Sequence, residues 1–132
     1  MRNAYKIAIP AALLVLVLGL ALPVAAHHSF PATYEINRTI TIKGKVARFM
    51  FRNPHSLVQV DVIGDDKQVQ QWTVEWAAAG ALARGGASRD TLKVGDDVTV
   101  VGNPGRSTTE HRIRLNSINR PADGWKWSGE FD

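Results

Sequence analysis

The sequence contains no cysteine. No disulfide can brace the fold, and no lipid can be attached through a thiol. Metal chemistry, if any, is left to histidine, methionine, carboxylate or an amine. Charge of one sign is also scarce: 16 Lys and Arg face 12 Asp and Glu, a net charge of +4. So small an excess argues against nucleic acid or an acidic membrane as the main partner. No Gly-rich loop opens a helix in the manner of a phosphate-binding motif. Ser29 and Ser56 stand in no nucleophile elbow or triad spacing, so an enzyme is not expected. Repeats and low-complexity segments are absent too. With 132 residues there is room for one domain and one core.

Long apolar runs are confined to the beginning. Arg2 and Lys6 precede an apolar stretch from Ile7 to Leu22, followed by Pro23-Val24-Ala25-Ala26. A basic start, an apolar middle and small residues before a cut form a secretory signal. Cleavage after Ala26 is expected, with a mature chain beginning at His27 in the periplasm or outside the cell. The rival reading is an uncleaved membrane anchor. The run is short for a span of about 20 residues, and Pro10 and Pro23 interrupt it. Losing Arg2 and Lys6, and no acidic residue, takes the net charge from +4 to +2.

The remainder divides into an extended N-terminal arm (27–38), a β-rich domain (39–120) and a tail without clear periodicity (121–132). Residues 39–51 read as a strand in which Ile40, Ile42, Gly44 and Val46 share a face. Phe49 and Phe51 have the opposite parity. A bulge between Gly44 and Ala47 would explain the change and bend the strand. Arg52-Asn53-Pro54 is a turn. Val58, Val60 and Val62 alternate in a second strand, and Trp72, Val74 and Trp76 in a third (69–76). Alanine-rich Ala77 to Arg84 favours a short helix ended by Gly85-Gly86. Strands four (97–102) and five (about 111–119) follow. Three strands, a short helix and two strands predict an all-β fold, a small five-stranded OB-like barrel, over a two-sheet sandwich of seven or more strands.

Four histidines carry the chemistry: His27, His28, His55 and His111. At a new N-terminus, the His27 amine and its own imidazole can close a chelate ring on one metal ion. A further imidazole would complete a three-nitrogen site of the kind that suits Cu(II). His55, at a strand start beside a proline turn, is the first choice for it. His28 is the local alternative, and Glu75 and Met50 are weaker candidates. Were Ala26 retained, Ala26-His27-His28 would form an amino-terminal copper-binding tripeptide of different geometry. The amine has an ordinary pKa of about 7.7–8.0, so metal must displace a proton and affinity should rise with pH. The plain alternative is a polar arm without a partner and a His55 that bonds only its own turn. His111 is expected to be exposed.

The aromatic residues suggest a second function. Trp125 and Trp127 could offer a ligand-binding surface for a saccharide, peptide or small envelope ligand, or could cover an open barrel end. Trp72 and Trp76 alternate as inward residues should. A third possibility is an accessory domain that docks on a protein partner.

Several of these stretches together resemble an uncharacterised family of small exported bacterial proteins, a domain of unknown function. They are His27-His28-Ser29-Phe30, Ile42-Lys43-Gly44-Lys45-Val46, Arg52-Asn53-Pro54-His55, Trp72-Thr73-Val74-Glu75 and Leu92-Lys93-Val94-Gly95-Asp96. The resemblance runs to about Gly105 and takes in His27, His28, His55 and Glu75 but not His111. It departs at Ala77 to Ala81, where such proteins often carry a Ser-Pro-type turn. It implies an exported β-barrel-like domain and no activity. The sequence thus leads to a periplasmic metal-binding module, with copper the expected ion.

Overall fold

Alternating apolar residues build five strands: β1 (Ile40–Met50), β2 (Leu57–Ile63), β3 (Val69–Glu75), β4 (Asp97–Pro104) and β5 (Arg112–Arg120). They are seen in a computed structural model that describes residues 29–131. The expected signal (1–26), with His27 and His28, lies outside the described residues. Strand β1 pairs antiparallel with β2 and β4, β2 with β3, and β4 with β5; β3 and β5 close the ring in parallel. This is the expected five-stranded barrel, with the helix α2 (Ala79–Arg84) between β3 and β4.

The bulge predicted in β1 lies between Val46 and Arg48, where the register with β2 shifts. An extra residue reverses the facing of everything after it. Ile42 and Val46 are therefore buried before the bulge, while Phe49 packs against the same core after it. Close approach of the strands fixes Gly44. A Cβ there would stand 2.2 Å from the Asp61 carbonyl oxygen. The barrel is filled by Val46, Val58, Val60, Val74, Val100, Ile113, Leu115 and Ile118, each almost fully removed from water. Branched side chains suit so narrow an interior because they fill width without length.

Trp76 closes one end of this core. It is fully buried, with Phe49, Trp125 and Trp127 around it at ring-centroid separations of 5.9, 6.3 and 5.2 Å. The last two stand on a sixth strand, β6 (Trp125–Ser128), paired antiparallel with β5. Residues 121–132, expected as a tail without periodicity, thus contain a strand. Four residues are too few for a period to show, but Arg120 and Asp123 hold the turn that brings the strand back, in a paired contact of 3.0 and 2.8 Å.

The arm also differs from expectation. From Phe30 it is not extended but forms a helical turn, α1 (Phe30–Thr33), with Pro31 in its first turn. Proline is pre-set for that position. The chain after it is stitched to β4 and its following loop: Glu35 N–H donates to the Pro104 carbonyl, Arg106 N–H to that of Thr33, and Asn103 Nδ2 to that of Arg38. Tyr34 bridges to Gly105 and is buried.

Candidate functional site

The turn from Arg52 to Ser56 is built rigidly from its own polar groups. Ser56 has no exposed surface. Its Oγ accepts from the Arg52 N–H and donates to the Arg52 carbonyl, both at 3.2 Å. Ser56 N–H donates to the Ala77 carbonyl, Trp76 N–H to that of Ser56, and Ala79 N–H to that of Arg52. The turn is thereby fastened to the chain leaving β3. His55 is held between these anchors and half-buried.

Glu75, at the end of β3, faces His55: Nδ1 and Oε1 are 3.7 Å apart. That exceeds a hydrogen bond but leaves the groups adjacent. Among the described residues, the buried His55 Nδ1 has no hydrogen-bond partner. Tyr34 donates its hydroxyl to Glu75 Oε2, and the Arg112 guanidinium lies 3.7 Å from the same oxygen. Burial, and then the bond to Glu75, push the Tyr34 phenol above its ordinary pKa. A carboxylate flanked by a histidine, a phenol and a guanidinium can orient an imidazole from behind, as the outer partners of metal-bound histidines do.

These side chains line a half-open cleft of about 360 Å³, with Phe30, Thr33, Arg52, Pro54 and Leu57. It lies between the β1–β2 turn and the start of β5. The Phe30 ring stands edge to face with His55, centroids 5.8 Å apart. Phe131, from the other end of the chain, packs on Phe30 at 5.7 Å and near His55 at 6.1 Å. Arg114 spreads over both phenylalanine rings, at 4.1 and 4.8 Å.

Of the residues proposed from sequence, His55 and Glu75 are brought together. His27 and His28 lie outside the described residues. Among the described residues, no group of three or more His, Asp or Glu could hold a metal ion. Met50 is half-buried in β1, paired with Leu57, and does not line the cleft. His111 is exposed as expected and stacks on Trp72, centroids 5.1 Å apart. Trp125 and Trp127 do not line the cleft either. They pack on Trp76 at the barrel end, as the cover reading expects, and both remain half-buried. Sequence reasoning missed Tyr34, Arg52 and Arg112. Arg52 shares the RNPH turn with His55, a signal that was available. Tyr34 and Arg112 reach the cleft through long-range pairing that no local pattern displays.

A model described as a family of unknown function (DUF6152) matches residues 14–114. That span holds His27, His28, His55, Glu75 and all the cleft residues named above. No curated protein matches the chain.

Proposed function

This chain belongs to that family of unknown function, and from that premise we propose an exported metal-binding module with copper as its ion. His55 would offer an imidazole from the folded side, oriented by Glu75, and His27 and His28 would supply nitrogens from the chain end. Its role would be metal handling in the periplasm rather than catalysis. The observation that carries the reading is the contact of the Phe30 ring with His55. His27 precedes Phe30 by three residues, a tether of at most ~11 Å. On so short a lead, a chain starting at His27 would be able to bring its amine to the imidazole.

Copper titration of the exported protein tests this, after mass spectrometry has established its first residue. Tight binding to a chain starting at His27, weakened about tenfold or more by His55→Ala, is the expected result, since each lost nitrogen ligand removes a strong bond. Unchanged affinity and spectrum in His55→Ala would take His55 out of the site. A start other than His27 would remove the chelating amine.

A second reading, a barrel that binds a small envelope ligand, keeps its support in the cleft itself. The β1–β2 turn and the β4–β5 loop flank the surface that OB barrels commonly use for ligands.

A further inference from the structure

The cleft's own charges point beyond a bare metal ion. Two arginines, Arg52 and Arg112, line it together with one acidic residue, Glu75. Glu75 is already engaged by the Tyr34 hydroxyl and by Arg112. Arg112 is not satisfied by this. Its contact with Glu75 is long, at 3.7 Å, and its Nε is buried without a hydrogen-bond partner among the described residues. A buried N–H left unpaired costs free energy, which Arg112 would recover by turning its guanidinium onto a ligand oxygen in the cleft. Arg52 stands exposed at the rim, its backbone locked by Ser56 and Ala79, so its side chain projects from a fixed base. Phe30, Pro54 and Leu57 add apolar wall.

We propose that this cleft binds a small oxyanion, the carboxylate or phosphate of a compact ligand, through Arg52 and Arg112. Planar guanidiniums match both groups through paired N–H donors. The site stands on the described residues and does not require copper. Were a cation also to enter beside His55, the oxyanion would offset its repulsion by the two arginines.

The test uses the exported protein, freed of metal by a chelator, titrated with inorganic phosphate and separately with acetate in low-chloride buffer. Binding is read by calorimetry and by the Arg112 Nε–H resonance. At least one anion should bind and shift that resonance, the stronger of the two naming the ligand group. Arg52→Gln should weaken binding about tenfold, the scale of one charge-assisted contact, while Arg89→Gln, an exposed arginine absent from the cleft, should leave it unchanged. Arg112→Gln should abolish it; should that variant not fold, the exposed Arg52 position decides. Failure of both anions to bind, or equal weakening by Arg89→Gln, would overturn the proposal. Copper affinity of His55→Ala reads the metal site separately, so either can fail alone.

Discussion

Tyr34 and Glu75, 41 residues apart in sequence, are joined by a hydrogen bond from the buried phenol to the carboxylate. The bond holds the segment after α1 against the end of β3 and engages one oxygen of Glu75, leaving the other toward His55. Burial first, and Glu75 second, raise the phenol's pKa. The unfolded phenol loses its proton near pH 10, whereas the folded one retains it to higher pH. The native state then binds more protons, so this stability is complete below about pH 10 and is lost as pH rises further. In a chain starting at His27, Tyr34 is the sole tyrosine. Its phenolate absorbance should therefore appear well above pH 10 in the folded protein and near 10 in denaturant. Tyr34→Phe should cost about 1–3 kcal/mol at neutral pH and remove this alkaline loss. A native titration at the ordinary value would refute the contact.

Ser56→Ala should loosen the turn carrying His55. The substitution removes one acceptor and one donor from a position with no exposed surface. A loss of about 1–3 kcal/mol is expected, seen as a lower urea midpoint with an unchanged slope. Stability equal to that of the parent would mean that the backbone bonds to Ala77 and Ala79 suffice.

Asp96 and Asp123, both paired with Arg120, should govern acid behaviour. A hydrogen bond from the Lys93 N–H, and then Arg120, lower the pKa of Asp96; Arg120, and then the Trp125 N–H, lower that of Asp123. Carboxylates with depressed folded values stabilise the native state above their unfolded pKa of about 3.9, and that contribution is lost as pH falls through the folded values. Asp96→Asn should cost about 1 kcal/mol at pH 7, since the pair with Arg120 is partly solvated. The difference should vanish near pH 2. A constant gap in denaturant midpoint across that range would contradict the assignment.

Gly44→Ala should be disproportionately harmful. The added methyl would meet the Asp61 carbonyl oxygen and Val60 Cγ1 at 2.2 and 2.9 Å. Backbone cannot swing aside as a surface side chain can, so a loss of about 2–3 kcal/mol is expected. Thermal unfolding near the parent's temperature would show that β1 and β2 can part without cost.

Local chemistry made much of this legible. Alternation in Val58-Val60-Val62 and Trp72-Val74-Trp76 marked the inward faces, and the change of parity around Phe49 located the bulge to within a residue or two. What stayed hidden was set by distant pairing. Nothing near Tyr34 announces Glu75, and β6 owes its place to Trp76 beneath it and Arg120 beside it. The arm departs from the expected extended segment because Pro31 suits that and a helical first turn alike; the bonds from Ala32 N–H to the Ser29 carbonyl and from Tyr34 N–H to that of Phe30 make the turn, and Arg106 and Pro104 hold it in place. His55 and Glu75 were therefore visible as residue types, whereas Tyr34 and Arg112, which meet them only through the fold, were not.

The ring contact between Phe30 and Phe131, 5.7 Å between centroids, lets the fold be rewired. A short linker could join these positions and new ends could be opened at the exposed Asp65-Asp66 hairpin. Such a circular permutant would keep every strand pairing while leaving no chain end ahead of Phe30.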